Sequence, residues 1–492
     1  MSKRNKTKQT SSQQQPPVSP AEPPEPTVTL SGWKKLLLIV ILCLLPLGVL
    51  GAVELGLRVF HYGYPTALFI PSSNEDLLTL NPQFTWRFFP PDIARPPVPG
   101  YLAKTKGPDT YRIFVVGGSA AQGVPSPDFS FGRILEVMLD EAYPDTDFEV
   151  INAAITAVNS HVVLPVTRDC AEQDPDLFIV FMGNNEVVGP FGPGSLSGGR
   201  VPSLRSIRTG LAIKTTKLGQ LAGAMSRSSD SPKEWGGMEM FANNHVPADD
   251  PRLQTTYNHF RRNLTDICKA ADAAGAHTFV CTVPVNLKDC PPFASAHRDD
   301  LGDAELAQWQ IAYDAGIEAE ADDRLDEAIA LYTQAGAIDD RYADLHFRLG
   351  RCYLATDQLE QAQRAFGLAR DLDVLRFRAD STINAAIRQI AGDQGATFVD
   401  TEAFLAKVSL SPGLPDDELF YEHVHMEFAG NYHVADALYA QVAAILPLEI
   451  TGGDPKPQPL SLAEARDAMP LTPWDESEML QGILLLADRP PF

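Results

Sequence analysis

The stretch that decides the fold is RIFVVGGSA, residues 112–120, in which an apolar run stops at two glycines and a serine. A short apolar run of this kind is typical of a strand that is buried on both faces of a parallel sheet. Similar runs and helical patterns alternate along the chain, the runs at 148–151, 177–182, 277–283 and 397–400 and the helices near 129–143, 160–173 and 253–275. This alternation predicts an α/β fold with a doubly wound parallel sheet of five strands.

The N-terminal part of the chain has a different composition. Residues 1–33 are polar and rich in proline, which predicts a disordered tail. Residues 36–53 carry no charge, and their length is near the minimum for a membrane span. Six lysines and arginines precede this segment, whereas only Glu54 and Arg58 closely follow it.

The positive-inside rule therefore predicts a signal anchor at 34–56, with a cytoplasmic N-terminus and an extracytoplasmic remainder. A cleaved signal peptide is the alternative. Its charged region would be unusually long, and no Ala-x-Ala site follows the apolar stretch.

Length and charge limit the remaining possibilities. The chain has 492 residues and a formal net charge of −23, which argues against a nucleic-acid partner because phosphate binding needs a basic face. We expect a connector at 57–108, a main domain at 109–446 and a C-terminal extension at 447–492. Two segments interrupt the main domain, at 195–250 and 309–374.

The second interruption, 309–374, contains an internal repeat. Small or aromatic residues recur 34 positions apart, namely Gly316 and Gly350, Ala328 and Ala362, Tyr332 and Phe366, and Ala335 and Ala369. That period is the signature of tetratricopeptide (TPR) repeats. Asp340 and Val374 stand where a proline is usual. Two repeats cannot bury a continuous core alone, so we expect them to lean on the main domain and to offer a surface for a protein partner. Two ordinary helical hairpins without a partner are the alternative.

The first interruption, 195–250, combines basic residues with leucines and isoleucines near helical spacing. Its basic residues are Arg200, Arg205, Arg208, Lys214 and Lys217. A basic amphipathic helix can lie on anionic lipid or cover an active site as a lid. A plain solvated helix face is the alternative.

Three short motifs carry the chemistry. Ser119 follows the first strand, Asn185 follows the third, and Glu422 and His425 precede a helical pattern at 427–446. In a sheet of order 2-1-3-4-5 the first and third strands are neighbours, so Ser119 and Asn185 would emerge side by side. A serine needs a base in hydrogen-bond reach, for which His425 is the candidate, with Glu422 orienting its ring. The Asn185 amide, and backbone amides in 152–159, could stabilise an oxyanion.

A metal site competes with this interpretation, because His423, His425 and His433 form a His-x-His pair with a third histidine. No other cluster supplies the acidic ligands usual beside it, so we expect neither a metal nor a cofactor. Cys281 and Cys290 are close enough in sequence to pair in an exported chain, but the sequence leaves their pairing open.

With these motifs in this order, the chain resembles the SGNH (GDSL-type) hydrolases, serine esterases with a flavodoxin-like sheet. The resemblance implies Ser119 as nucleophile, His425 as base and Glu422 as orienting acid. It also implies an oxyanion hole formed by the Ser119 and Ala157 backbone amides and the Asn185 side chain. Gly118 stands where the family has an acidic residue, and Ala157 where it has glycine. Glu422 and Glu186 stand where it has aspartate.

The sequence thus predicts a membrane-anchored, extracytoplasmic serine esterase acting on an acylated envelope glycan or lipid. Transfer of the acyl group to a sugar hydroxyl is the first alternative. A catalytically inactive TPR scaffold is the second.

Overall fold

A computed structural model describes residues 31–196, 198–226, 232–453 and 457–492. They form two units, which divide between His61 and Tyr62. Most of the predicted tail, residues 1–30, lies outside the described residues.

The first unit is represented by one helix, α1 (Gly32–Val59), which contains the predicted span at 34–56. None of its residues is buried, and it is long and apolar enough to cross a membrane. Among the described residues it is the single helix of this kind.

The second unit begins with a small antiparallel sheet inside the segment predicted as a connector. Its strands pair in the order β1-β2-β3, where β1 is Phe69–Pro71, β2 is Leu77–Leu80 and β3 is Tyr101–Ala103. The Leu68 backbone N–H donates to the Asp169 carboxylate at 2.6 Å, and both Leu68 and Phe84 are fully buried. This segment is therefore packed against the main domain rather than being a free linker.

The main sheet has five parallel strands in the order β5-β4-β6-β7-β8. They are β4 (Thr110–Gly117), β5 (Asp147–Asn152), β6 (Leu177–Phe181), β7 (His277–Cys281) and β8 (Thr397–Val399). Counted within this sheet, the order is 2-1-3-4-5, so the predicted doubly wound α/β fold is confirmed.

Helices connect the strands and fill the insertions. In chain order they are α2 (Ser119–Gln122), α3 (Phe131–Ala142), α4 (Ser160–Ala171), α5 (Leu204–Lys214), α6 (Lys217–Met225), α7 (Pro251–Ala273), α8 (Asp303–Ala321), α9 (Leu325–Ile338), α10 (Ala343–Ala355), α11 (Leu359–Leu372), α12 (Ser381–Gln394), α13 (Thr401–Val408), α14 (Phe428–Ile445), α15 (Leu448–Thr451), α16 (Leu462–Ala468) and α17 (Pro473–Ala487).

Two layers of helices cover the sheet. In one layer α3 packs against α14 and α16, and in the other α7 packs against α4 and α12. Every residue of β6 is buried, as are all residues of β4 after Thr110. Burial on both faces explains why these strands are continuous apolar runs rather than alternating ones.

Gly117 allows β4 and β6 to come together at the edge that carries the predicted site. It pairs with Phe181 in the parallel register of these strands. A Cβ at Gly117 would lie 2.0 Å from the Phe181 carbonyl oxygen and 2.7 Å from Ala121 Cβ. Backbone atoms held in a sheet cannot move aside, so this position requires glycine.

The 34-residue repeat is explained by one contact that occurs twice. Gly316 on α8 lies under the Tyr332 ring of α9, and Gly350 on α10 lies under the Phe366 ring of α11. A Cβ at these glycines would lie 2.5 Å and 2.9 Å from the rings. Each helix pair therefore closes on a glycine–aromatic contact.

These repeats lean on the main domain, as expected. Phe347 and Phe366 form an apolar cluster with Leu414. At Val374, one of the positions where a proline is usual, the N–H donates to the Ala294 carbonyl at 3.1 Å and the carbonyl accepts from Val246 at 2.8 Å. A proline at Val374 would remove the first of these bonds, which gives a physical reason for its absence.

The basic insertion faces inward more than its sequence suggests. Arg208 contacts Asp266 at 2.7 Å, Lys214 donates to the Arg87 carbonyl at 3.0 Å, and Lys217 donates to the Tyr64 carbonyl at 2.9 Å. Arg200 and Arg205 are exposed. Three of the five basic residues thus attach α5 and α6 to neighbouring segments, including the segment that follows His61.

We expect Gly117→Ala to lower the free energy of unfolding by at least about 2 kcal/mol, because overpacking against a fixed backbone cannot relax. The measurement is urea unfolding of the full-length protein in detergent. Gly392→Ala, in α12 with open space around it, is the control. It should be neutral or raise stability by about 0.5–1 kcal/mol. Equal effects of the two changes would contradict the assigned role of Gly117.

Candidate active site

Ser119 lies where β4 passes into α2. Gly118 is extended and Ser119 is the first residue of the short helix. The Ser119 Oγ lies 2.8 Å from His425 Nε2, across 306 positions of sequence. Ser119 is 8% exposed, so its hydroxyl lies at the wall of a cavity and not on open surface. The two predicted catalytic side chains are therefore in hydrogen-bond reach.

The loop before α14 fixes the histidine. The backbone N–H groups of Val424 and His425 donate to Glu422 Oε1 at 3.3 and 2.7 Å, which folds the loop tightly around the carboxylate. His425 Nδ1 lies 2.7 Å from the same oxygen. Asn431 donates to the Met426 carbonyl at 2.9 Å and accepts from the Phe131 N–H at 3.0 Å, so the loop is also attached to α3.

Glu422 is a buried carboxylate between two imidazoles. Its second oxygen contacts His423 Nδ1. Burial raises the pKa of this carboxyl, but His423 and His425 outweigh it and hold the pKa well below its usual value. Burial lowers the pKa of His423. The carboxylate is thus ionised, and it favours the His425 tautomer that carries its proton on Nδ1 and accepts the serine proton on Nε2.

Neither ring N–H is aimed straight at its carboxylate oxygen, although both nitrogens are close to it. The two contacts are therefore close electrostatic ones rather than linear hydrogen bonds.

Asn185 lies beside the nucleophile. A Cβ at Gly118 would lie 3.4 Å from Asn185 Nδ2, so the amide borders the backbone that carries Ser119. The Asn185 carbonyl accepts from the Gly189 N–H at 2.7 Å. Its neighbour Asn184 accepts from the Ala379 N–H at 2.9 Å, which attaches this loop to the start of α12.

Ala157, on the loop after β5, has a φ of 62°. This left-handed conformation favours glycine, the residue that SGNH hydrolases have at the matching position. The loop is held by the Ile155 N–H, which donates to the Gly117 carbonyl at 3.1 Å, and by Asn152, which donates to the Gln122 carbonyl at 3.0 Å. In the part of the chain that the structure describes, the Ala157 N–H donates to no other group, and Ala157 lines the cavity at Ser119.

Glu186 is a positioning residue that the sequence analysis mentioned only as a departure. Its two oxygens accept from the Ser160 backbone N–H at 2.7 Å and the Ser160 hydroxyl at 2.8 Å. It therefore ties the Asn185 loop to the start of α4 and so to the Ala157 loop. Burial raises the pKa of Glu186 to about 7, while the bonds from Ser160 oppose the shift. The sequence signal that could have identified this residue is a carboxyl side chain directly after Asn185.

A cavity of about 310 Å³ opens at Ser119. Its polar lining includes Ser119, Thr156, Asn185, His423 and His425. The remaining walls are mostly apolar and include Trp235, Met238 and Phe241 from the 195–250 insertion. This downstream part of the insertion borders the site, whereas α5 and α6 contact the segment 64–87 and Asp266.

The three histidines of the competing metal interpretation do not all meet. His433 lies on α14 against the rings of Phe404 and Tyr432. Within the described ranges, the potential metal cluster consists of Glu422, His423 and His425, with ligand atoms within 4.8 Å of one another. Because His425 Nε2 faces Ser119 and both Nδ1 atoms face Glu422, this geometry fits a serine–histidine–acid arrangement.

Cys281 and Cys290, whose pairing the sequence left open, are both free and buried. Burial raises the pKa of both thiols, so neither is an activated nucleophile.

Comparison with known proteins matches residues 319–376 to the tetratricopeptide repeat family. No curated protein matches the chain by sequence.

Among solved structures, the chain is similar to the acetyl xylan esterase AlAXEase, with 12% identity and a TM-score of 0.31. The match covers 67% of this chain and 99% of the esterase. It is also similar to a GDSL-like lipase from Bacteroides thetaiotaomicron, with 10% identity, 70% and 93% covered, and a TM-score of 0.31. It is similar, too, to a lipase/acylhydrolase from Enterococcus faecalis, with 10% identity and a TM-score of 0.29. That match covers 68% of this chain and 95% of the acylhydrolase.

We expect Ala157→Gly to raise the free energy of unfolding by up to about 1 kcal/mol, because the left-handed conformation costs alanine roughly 1–2 kcal/mol and glycine's unfolded-state entropy offsets part of the gain. Ala153→Gly, in the same loop without a positive φ, is the control and should lower stability. Urea unfolding measures both. If Ala157→Gly lowered the free energy of unfolding as much as the control does, the inference that the Ala157 backbone is strained would be wrong.

Glu186 should make stability depend on pH. Its folded-state pKa of about 7 lies above the ordinary 4.5, so the folded state keeps a proton that the unfolded chain releases. The contribution of Glu186 to the free energy of unfolding should therefore fall as pH rises from 4.5 to 7, by up to about 3 kcal/mol. Glu186→Gln should remove this contribution, so that the difference in free energy of unfolding between variant and wild type changes across this pH range, whereas Glu141→Gln, at an exposed position on α3, should keep it. If the curves of free energy of unfolding against pH were parallel for all three proteins, the raised pKa assigned to Glu186 would be wrong.

Proposed function

We propose that this protein is a serine esterase of the SGNH type that forms an acyl-enzyme on Ser119. The observation that carries the proposal is the 2.8 Å contact between Ser119 Oγ and His425 Nε2, with Glu422 2.7 Å behind the ring. Sequence order and geometry agree on the same residues. The sheet order brings Asn185 to the same edge, as a hydrolase of this type requires.

In the proposed reaction, Ser119 Oγ attacks the ester carbonyl while His425 Nε2 takes its proton. The oxyanion is stabilised by the Asn185 amide and the backbone N–H groups of Ser119 and Ala157. The C–O bond to the alcohol then breaks, and the alcohol leaves with the proton from His425. Water attacks the acyl-enzyme with His425 again as base, and release of the carboxylic acid restores Ser119.

Glu422 acts through His425 in this scheme. Its negative charge stabilises the imidazolium that forms in each step. The buried position makes this interaction stronger than it would be in water. The same acyl-enzyme could be resolved by a sugar hydroxyl instead of water, so the products decide between hydrolysis and transfer.

We propose further that α1 anchors the chain in a membrane, with the N-terminus cytoplasmic and the catalytic unit extracytoplasmic. The support is the length and apolar character of α1 together with the cluster of lysines and arginines before it. An envelope position would give the enzyme access to acylated glycans or lipids. The repeat helices would offer a surface to a protein partner.

Ser119→Ala and His425→Ala should each lower kcat/KM for p-nitrophenyl esters at least 1000-fold, because each removes one half of the nucleophile–base pair. Labelling by a fluorescent alkyl phosphonate should disappear in Ser119→Ala. His433→Ala is the matched control, since this histidine lies on α14 outside the site, and it should stay within about threefold of wild type. Wild-type protein that neither hydrolyses esters nor reacts with the phosphonate would instead favour the inactive scaffold.

The proposed orientation predicts that protease added to spheroplasts, in which the cytoplasmic membrane is intact and the outer envelope is removed, degrades the unit after residue 61 and spares the N-terminal tail. Immunoblots against tags at both ends measure this. Loss of the N-terminal tag without protease would indicate signal-peptide cleavage, and protection of both ends would contradict export.

A further inference from the structure

The residues that line the cavity at Ser119 indicate which acyl groups the site can bind. Apart from Arg95, which is exposed, the lining has no acidic or permanently charged side chain. The inner wall is formed by Val188, Phe241 and Phe377, all buried, and the rings of Phe241 and Phe377 meet edge to face at 5.6 Å. An acyl chain that runs along these residues would therefore contact mainly apolar groups.

The C-terminal extension supplies the outer wall of the same cavity. Ile483 and Leu486 of α17 line it, and Ile483 is 5% exposed. Gly482 also lines it, and a Cβ there would lie 3.7 Å from Pro125 Cβ. An element outside the α/β domain thus forms part of the cavity wall.

The cavity volume exceeds the need of a small acyl group. It is about 310 Å³, and a methylene-sized group occupies about 30 Å³, so the cavity holds roughly ten such groups. An acetyl group would fill less than a third of it. A filled apolar cavity binds more tightly than a partly empty one, because unfilled walls lose their packing contacts.

Phe241 lines both this cavity and a second one. The second cavity is also about 310 Å³, and the two share Ala157, Val188, Gly189 and Phe241. Its far walls include Phe88, Ile93 and Phe191, so it too is largely apolar. Phe241 has the largest side chain of the four, so among them its truncation would open the most space between the two cavities.

We propose that the site takes a linear apolar acyl chain of about six to ten carbons, and that Phe241 sets the upper limit of its length. This inference rests on the proposed esterase function. It names Phe241, Ile483 and Leu486 as specificity determinants and makes α17 part of the acyl pocket.

The test is a series of p-nitrophenyl esters from C2 to C16, kept below their critical micelle concentrations, with the full-length protein. Each methylene that enters the pocket is worth about fourfold in binding at most. Wild type should therefore show kcat/KM for the C8 ester at least tenfold above that for C2. Phe241→Ala should move the optimum to C12 or longer.

A second variant tests the proposal independently, in case Phe241→Ala does not fold. Gly482→Leu adds a side chain to the cavity wall formed by α17 and should lower kcat/KM for C8 at least tenfold, and more than it lowers kcat/KM for C2. Leu485→Ala is the matched control, because Leu485 lies on the same helix and is 70% exposed. It should leave the chain-length profile unchanged.

The outcomes separate this inference from the proposed function. A C2 optimum, or a profile that none of these variants shifts, would overturn the acyl-pocket assignment and leave the esterase intact. No turnover of any ester and no phosphonate labelling would overturn both.

Discussion

The close approach of β4 and β6 is the constraint on which the rest of the site depends. Gly117 lies against the Phe181 carbonyl with no room for a side chain. Because parallel strands end at one edge of a sheet, this pairing puts Ser119 and Asn185 on adjacent loops at the point where the winding direction reverses. A wider separation of the two strands would move the amide away from the hydroxyl.

The second constraint is electrostatic. Glu422 is buried as a carboxylate, which is costly unless the charge is compensated. Here two backbone N–H groups and two imidazoles surround it, so the loop that carries His425 is folded around its own acid. The acid thus has a structural role as well as a proposed catalytic one. Ala157 is a further sign of constraint at this edge, since it has a left-handed backbone and lines the cavity at Ser119.

The segments that interrupt or follow the α/β domain contribute more to the site than their sequence indicates. Trp235, Met238 and Phe241 come from one insertion, and Ile483 and Leu486 come from the C-terminal helix. The repeat segment is attached to the domain by Val374 and by the cluster around Phe366. The proposed catalytic residues thus lie in the α/β domain, and the added segments form much of the apolar wall of the cavity beside them.

The five parallel strands and the 34-residue repeat could be predicted from the sequence, which also singled out Ser119, Asn185, Glu422 and His425 as candidates. These are local signals, because strand-end motifs and a 34-residue period are visible without knowing the fold. Other contacts became visible in the folded structure: Glu186 links two loops, α5 and α6 contact the segment 64–87 and Asp266, and α17 forms part of the cavity wall. Such contacts join positions far apart in the chain, and nothing in the pattern of one segment specifies which distant surface will bury it.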